Sequence, residues 1–184
     1  MKRIFTGLVV VVLLLATSIN VYADSTDKAQ ITNLVKSYIQ FRESFHVFPT
    51  DKIDNDKVDD ATIQSVINGK KATLLKFIEK DTPFYKKESE MLSSVIKEQQ
   101  PKQIRSFEGH ATDITVTSMN LNGTTANVDV SYVAHATFGQ WQKDHWVKVT
   151  PSNTILLQLY LNKDQSGSWY IFNEKWAFAP GSEP

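Results

Sequence analysis

The chain contains no cysteine in its 184 residues. This absence excludes disulfide bonds, a cysteine nucleophile, thiolate metal ligands and a lipid anchor attached through a cysteine. Exported proteins often rely on disulfides for stability. If this chain is exported, packing alone must stabilise its fold.

The chain also lacks an excess of charge of either sign. It carries 20 basic and 20 acidic side chains, and two of the basic ones, Lys2 and Arg3, lie in a leader that we expect to be removed. A chain this close to neutrality lacks the positive field that holds a nucleic-acid backbone or an anionic membrane surface. Glycine and proline are few, at 7 and 6, so we expect no long disordered tract before the C-terminal tail.

Long apolar runs are absent except at the N-terminus. A basic start, MKR, precedes an unbroken apolar stretch over residues 8–15, and Ala23 ends a small-residue motif. The stretch extends to about a dozen residues, whereas a membrane-spanning helix needs roughly 20. The pattern predicts a signal peptide over residues 1–23 that is cleaved after Ala23. The product would be secreted or extracytoplasmic, without stable membrane insertion; an uncleaved N-terminal anchor is the alternative.

The first half of the remaining chain has the spacing of short amphipathic helices. Capping residues, prolines and an Asn-Gly pair mark their ends. The predicted helices run from Ser25 or Thr26 to Pro49, from Asp59 or Asp60 to Asn68-Gly69, over residues 74–81, and from Pro83, as the first helical residue, to Pro101.

From about Phe107 the apolar spacing changes from helical to alternating. Asn122-Gly123 is a tight-hairpin signal, and further turns are expected at Lys143-Asp144 and over residues 164–167. One long strand over residues 146–161 should bend at Pro151, where a hydrogen-bond donor is missing from the ladder.

Helices followed by strands indicate an α+β fold. We expect three or four N-terminal helices packed on a bent, four-stranded antiparallel sheet with a cone-like shape. Residues 24–179 would form one domain, and residues 180–184 a flexible tail.

Three segments resemble sequences of one superfamily. They are Val66-Ile67-Asn68-Gly69 with the hydrophobic residues 74–78 after it, Asp81-Thr82-Pro83-Phe84-Tyr85-Lys86-Lys87-Glu88, and Trp169-Tyr170-Ile171. Over residues 29–178 the layout resembles the nuclear-transport-factor-2-like superfamily. It is similar, more narrowly, to the extracytoplasmic domain of the teicoplanin-resistance-associated membrane proteins of Gram-positive bacteria. The resemblance implies helices filling the concave side of a bent sheet and a location in the cell envelope. Those relatives have a spanning helix and other domains that we do not expect here, so it does not imply a shared role.

Two segments superficially match ligand-binding motifs. Residues 69–73 (GKKAT) lack the upstream glycine and the preceding strand of a phosphate-binding loop. The acidic loop over residues 51–60 lacks EF-hand spacing, because Val58 occupies a position that needs an oxygen ligand. We therefore expect a helix corner and a solvated loop with a helix cap, and neither a metal nor a cofactor.

The histidines are the candidates for catalysis. His135 and His145 could meet across a hairpin, where Glu174 from a nearby strand would complete a metal-binding trio. Isolated, hydrogen-bonded histidines on strands are the simpler alternative. His135 could also serve as the general base of an enzyme with this fold.

The strands also carry the candidate ligand-binding residues, which are Tyr132, His135, Trp146, Tyr160 and Trp176. Some strands are apolar on both faces, so the second face needs a cover: a homodimer partner, another envelope protein or an apolar ligand. Alternatively, strong curvature tucks these residues into one core.

We hypothesise a non-enzymatic, exported domain of the cell envelope. It would bind a protein partner or a small ligand through the cone opening or the aromatic sheet face. One alternative is an isomerase- or hydratase-type enzyme with a pocket in the cone, in which His135 is the base and a tyrosine the acid. Another is a purely structural dimer module.

Overall fold

The computed structural model describes residues 25–182, so the predicted signal peptide lies outside the described residues. The described chain begins with helix α1 over residues 25–44, followed by α2 (Asp60–Leu74) and α3 (Pro83–Glu98), with a short 3-10 helix at Thr50–Lys52. Between residues 25 and 182, no helix is long and apolar enough to cross a bilayer.

Helix α1 packs on the concave side of the sheet. The side chains that it buries have helical spacing and are Ile31, Val35, Tyr38 and Ile39. The helix ends at residue 44, before the predicted end at Pro49. The chain leaves the helix early because the N–H of Phe48 donates to the carbonyl of Ser106 in the first strand, at 2.9 Å.

Helices α2 and α3 begin where capping chemistry predicts. The side chain of Asp59 accepts a hydrogen bond from the N–H of Thr62. The side chain of Thr82 accepts one from Tyr85, and Pro83 occupies the first helical turn. Each cap satisfies a backbone donor that has no partner within its helix.

The predicted helix stop at Asn68-Gly69 is wrong. Helix α2 continues through both residues to Leu74, and turns replace most of the separate helix expected over residues 74–81. Ile63, Ile67 and Leu74 form one buried stripe along α2. Burying this stripe outweighs the cost of roughly 1 kcal/mol for a glycine inside a helix.

The strands form one antiparallel, five-stranded sheet. They are β1 (Ile104–Asn122), β2 (Thr125–Gln142), β3 (His145–Val149), β4 (Ser152–Lys163) and β5 (Trp169–Phe178). Their order is β1-β2-β4-β5, and β3 pairs with the far end of β2. Four strands were expected. The fifth arises because the predicted long strand divides before Pro151 into β3 and β4, which pair with different stretches of β2.

Two predicted turns contain left-handed residues. Asn122 pairs with Thr125 across the first hairpin, and Gly123 there has φ 59°. Lys143 has φ 58° in the turn between β2 and β3. Both hairpin predictions are therefore confirmed.

The core has two parts. The larger lies between α1 and the inner face of the sheet, the face toward that helix. The smaller joins α2 and α3 to the loop before α2. The expected α+β architecture, with helices on the concave side of a bent antiparallel sheet, is confirmed.

One glycine lets helix α1 approach the sheet closely. A Cβ atom at Gly109 in β1 would lie 1.9 Å from the carbonyl oxygen of Glu43 and 2.7 Å from the His46 ring. At the other end of the chain, Ser182 folds back on β4, where its Oγ accepts a hydrogen bond from the N–H of Thr154 at 2.5 Å. At least this residue of the predicted tail therefore contacts the sheet.

Candidate functional site

A buried set of charged and phenolic side chains joins α1 to the inner face of the sheet. We call it the inner polar cluster, and its members are Tyr38, Arg42, Glu43, Tyr132 and Glu174. Tyr38 donates to Glu174 at 2.7 Å, and Tyr132 donates to Glu43 at 2.7 Å. Arg42 contacts Glu43 at 2.9 Å, Tyr132 at 2.7 Å and Glu174 at 3.3 Å. The side chain of Glu174 is only 5% exposed, so these contacts replace its hydration.

Burial and charge shift the titration of the cluster. Burial, reinforced by the carboxylates of Glu174 and Glu88, raises the pKa of Tyr38 well above its usual range. Burial also raises the pKa of Tyr132, although Arg42 opposes this shift. Burial acts against the charge of Arg42, but the surrounding acidic groups, led by Glu174, outweigh it and raise its pKa. The phenols therefore stay protonated and the guanidinium stays charged at neutral pH.

The space beside the inner polar cluster is small. Its lining includes Tyr38, Arg42 and Glu88, and its volume is about 10 Å³, which is room for about one water molecule. Burial, followed by repulsion from Glu174, raises the pKa of the Glu88 carboxyl. The cluster fastens α1 to the sheet and leaves little room beside itself for a ligand.

Two of the predicted ligand-binding residues lie on the inner face. Tyr132 is buried within the cluster. Trp176 lies farther out and is 52% exposed, with its ring centroid 5.6 Å from the guanidinium carbon of Arg42. Its indole forms part of the cone opening, and the inner polar cluster closes the space behind it.

His135 points away from the cluster, to the outer face of the sheet. Its Nε2 lies 2.9 Å from Thr112 Oγ1 and its Nδ1 lies 3.1 Å from Ser152 Oγ. Its ring stacks on that of His110, with centroids 4.9 Å apart. Side chains three residues apart in a strand point to opposite faces, so Tyr132 and His135 do not share a pocket. The structure therefore does not bring His135 together with Tyr132 as a base and an acid.

The predicted metal-binding trio is not assembled either. His145 pairs with Gln142, which lies about 23 Å along β2 from His135 at the usual rise per residue. Glu174 is on the inner face, bonded to Tyr38. No group of three potential ligands from His, Cys, Asp and Glu is placed to hold a metal ion anywhere in residues 25–182.

Tyr160 lies on the outer face, beside a shallow groove. Its ring centroid is 6.2 Å from that of Phe172, and its hydroxyl donates to Gln158. The groove encloses about 440 Å³ over β1, β2, β4 and β5. Polar residues dominate the outer face, and its main apolar residues are Leu156, Tyr160 and Phe172. Trp169 and Ile171 are buried on the inner face, whereas Leu156 and Phe172 stay exposed on the outer face. Curvature therefore does not tuck the apolar residues of the second face into the core.

Trp146 belongs to the far end of the sheet, which we call the β2–β3 hairpin and define as residues 137–149. Its indole N–H donates to Asp54 at 2.9 Å, and its ring meets those of Trp141 and Phe107 edge to face. A Cβ at Gly139 would lie 2.5 Å from the Phe107 ring. The hairpin is therefore tightly packed on the face toward the loop that contains Asp54.

A buried arginine supports the base of this hairpin. Arg105 is fully buried, and its guanidinium donates to the carbonyls of Pro101 at 2.6 Å, Asn55 at 3.2 Å and Gln100 at 3.3 Å. It also lies over the Phe48 ring, 4.3 Å from the centroid. The side chain ties the loop before α2 to the segment that enters β1.

The opposite face of the hairpin is apolar and exposed. Ile104, Val147 and Val149 are 54%, 40% and 59% exposed. Ile104 and Val147 both pair with Gln140 in β2, so they share a face. Sequence reasoning missed this surface because it treated β3 as part of one long strand. The alternation in Val147-Lys148-Val149 was the signal that could have revealed it.

The five predicted ligand-binding residues therefore form no single site. Tyr132 is in the core, Trp176 at the cone opening, Trp146 in the hairpin, and His135 and Tyr160 on the outer face. Alternation along the strands assigns each face, but only the pairing of the strands decides which residues become neighbours.

Comparison with known proteins yields a similarity of fold. No protein-family model matches the chain, and no curated protein matches it. The intermembrane-space region of the chloroplast protein ARC6 has a TM-score of 0.53 at 15% identity, over 80% of this chain and 93% of that one. At 15% identity this similarity concerns the fold alone.

Two further solved structures are more distant. A ketosteroid isomerase-like protein from Erwinia carotovora atroseptica SCRI1043 has a TM-score of 0.42 at 14% identity, over 82% of this chain and 94% of that one. CagV, a VirB8 homologue of Helicobacter pylori strain 26695, has a TM-score of 0.42 at 8% identity, over 80% and 98%. The narrower resemblance to teicoplanin-resistance-associated proteins stays a prediction.

Proposed function

We propose that this chain is a non-enzymatic, extracytoplasmic domain that binds a protein partner through the β2–β3 hairpin. One observation carries the proposal. In the part of the chain between residues 25 and 182, β3 pairs with β2 along one edge, and no backbone hydrogen bond engages its other edge. A free strand edge is a template for another strand.

The other two edge strands of the sheet differ from β3. In β1, the side-chain amide of Gln40 bonds both the N–H and the carbonyl of Ala111, at 3.2 and 2.7 Å. In β5, the N–H of Ile171 donates to the carbonyl of Phe77 at 2.9 Å. Both strands also carry register shifts where they pair with their neighbours. These features discourage the addition of a strand, and β3 has no such contact.

The side chains around the free edge suit a protein partner. Val147 and Val149 are exposed on β3 itself, and Ile104 extends the same face. Strand addition draws affinity from main-chain hydrogen bonds, and alternate side chains add selectivity. The unpaired backbone of β3 offers the hydrogen bonds, and the exposed β-branched side chains beside it offer the selectivity.

The interior of the cone is filled, which favours binding at the surface over binding in an internal pocket. The inner polar cluster and the apolar core fill the concave side, where the space beside Arg42 is about 10 Å³. Drug-sized ligands usually occupy roughly 300 Å³ or more. The isomerase- or hydratase-type alternative depended on His135 and a tyrosine sharing a pocket, and Tyr132 and His135 do not. We therefore do not advance it.

An extracytoplasmic location is the second part of the proposal. It rests on the predicted signal peptide over residues 1–23. It is also compatible with the fold shared with ARC6, whose described region occupies an intermembrane space. The intact mass of the exported protein should correspond to a chain that begins at Asp24. A full-length chain recovered from the membrane would contradict cleavage.

Site-specific photocrosslinking in the cells that produce the protein tests the binding surface. A photoreactive amino acid would replace Val147, and matched chains would carry it at Gln64 on α2, at Tyr160 or at Trp176. We expect a discrete adduct from position 147 and none from position 64, because Gln64 is exposed on a helix away from the hairpin. Adducts confined to position 160 or 176 would move the binding surface to the outer face or the cone opening, and overturn the proposal.

A further inference from the structure

The free edge of β3 is complementary to itself. We propose that its partner is a second copy of this chain, paired antiparallel with β3 about a two-fold axis at Val147. This inference rests on the proposed function, because it names the occupant of the same edge. The shape and chemistry of the five residues His145–Val149 carry it.

Charge determines which register is favourable. With the axis at Val147, all five residues are paired, Val147 meets its copy and Lys148 meets Trp146 of the second chain. An ammonium beside an indole is attractive, and Lys148 already contacts an aromatic ring, because its Nζ lies 3.9 Å from the Phe107 centroid. Moving the axis to Lys148 would oppose two lysines, which is destabilising across strands.

The apolar face of the hairpin favours the same arrangement. Val147 and Val149 lie on the face opposite Trp146 and Lys148, since side chains alternate along a strand. Pairing two copies would bring the exposed valines of the two β3 strands together on one face. Val147 and Val149 are 40% and 59% exposed, and pairing would reduce the exposure of both side chains.

The paired surface is small. A five-residue strand spans about 17 Å, and stable interfaces commonly bury about 1,600 Å² in total. We therefore expect a weak dimer whose population rises with protein concentration. The shortness of β3 and its one lysine both oppose strand addition, which limits pairing to a weak and closed dimer.

The absence of cysteine makes the test direct. In a chain with no other thiol, Val147→Cys would place two thiols opposite each other on the axis, at a Cβ separation of about 5 Å that a disulfide can approach with small adjustments. The matched control is Asn127→Cys, which is exposed on the outer face of β2. We expect oxidised dimer to form about tenfold faster at position 147, because pairing raises the effective thiol concentration. Non-reducing gels and intact mass measure it.

A second variant separates dimerisation from folding. Val147→Lys opposes two ammonium groups on the axis, so light scattering across a concentration series should show monomer where the unsubstituted protein shows dimer. Its circular dichroism should be unchanged, and so should its melting temperature at a concentration where both proteins are monomers, because the side chain is exposed.

The outcomes distinguish this inference from the proposed function. Equal disulfide rates at positions 147 and 127, with monomer at all concentrations of the unsubstituted protein, would overturn the second copy as partner. If position 147 then still crosslinks to a different protein in cells, the proposed function stands without self-pairing. If position 147 gives no adduct of either kind, both fail.

Discussion

Strand β2 passes through two different surroundings along its 18 residues. The half near Tyr132 lies between β1 and β4 and under helix α1, where charged groups pair with one another and leave little free space. The half near Trp141 lies between β1 and the short strand β3, whose Val147 and Val149 are exposed on one face of the hairpin. The same alternating pattern therefore gives a closed core in one place and an open surface in the other. What differs is the element packed above the strand.

The largest effect should come from adding a side chain where α1 packs closely against β1. Gly109→Ala would bring a methyl group to 1.9 Å from the carbonyl oxygen of Glu43. We expect a loss of about 3 kcal/mol in the free energy of unfolding, because both backbones must shift. Urea denaturation measures it.

Gly69→Ala is the matched control for this substitution. Nothing lies within 4 Å of a Cβ at Gly69 in helix α2, so alanine there should stabilise the protein by about 0.5 kcal/mol. Similar losses from both substitutions would show that close approach at Gly109 does not limit packing.

The second-largest effect on stability should come from removing one charge from the inner polar cluster. Glu174→Gln keeps the shape but removes the carboxylate that pairs with Arg42 and accepts from Tyr38. Breaking a buried ion pair from one side should cost about 3 kcal/mol of unfolding free energy. Thermal and urea unfolding check this, and the exposed acidic side chain of Asp144 provides the control Asp144→Asn. A loss below that of the control would contradict a stabilising role for the cluster.

A pH-dependent effect should follow from His46, which lies where α1 ends. Burial, with a smaller contribution from Lys70, lowers the pKa of His46 to about 4. The unfolded chain, with a histidine pKa near 6.5, therefore binds more protons between these values. The contribution of His46 is fully present above about pH 6.5, and stability is lost as the pH falls toward 4, by roughly 3 kcal/mol.

Comparison of variants isolates this contribution from that of the carboxylates. The stability difference between pH 7 and pH 4, measured by urea denaturation, should shrink in His46→Gln. The matched control is His145→Gln, whose side chain is 63% exposed in the native protein. An unchanged pH dependence in His46→Gln would rule out the buried neutral imidazole.

The smallest effect on folding should come from substitutions on the exposed face of β3. Replacing Val147 and Val149 together by threonine keeps their shape and β propensity but makes the exposed face polar. We expect the unfolding free energy to change by less than about 0.5 kcal/mol, because exposed sites tolerate substitution. A loss as large as that of Glu174→Gln would mean that the hairpin face belongs to the core.

Local chemistry explains which elements were predictable. Asp59 and Thr82 cap their helices as expected, and Asn122-Gly123 forms its hairpin, because each depends on neighbours a few residues away. The stop at Asn68-Gly69 failed because a local signal competed with burial of Ile67 and Leu74 over several turns. The added strand β3 was missed because its separation from β4 depends on where β2 ends.

The candidate site was less predictable than the fold. Alternation correctly assigns Tyr132 to the inner face and His135 to the outer face. It could not reveal that Glu43 and Arg42 on a helix meet Tyr132 some ninety positions along the chain. A buried arginine such as Arg105 leaves no sequence signal either, because its partners are backbone carbonyls.

By itself, the sequence determined the order of helices and strands, most of their ends, and the lack of any disulfide bond. These properties follow from residue spacing, caps and composition, which act over short distances. The tertiary structure alone decided that five candidate residues separate into different places, that a charged cluster fills the cone, and that β3 has a free edge. Each of these depends on which distant segments pack together, and burial of the whole core selects that arrangement.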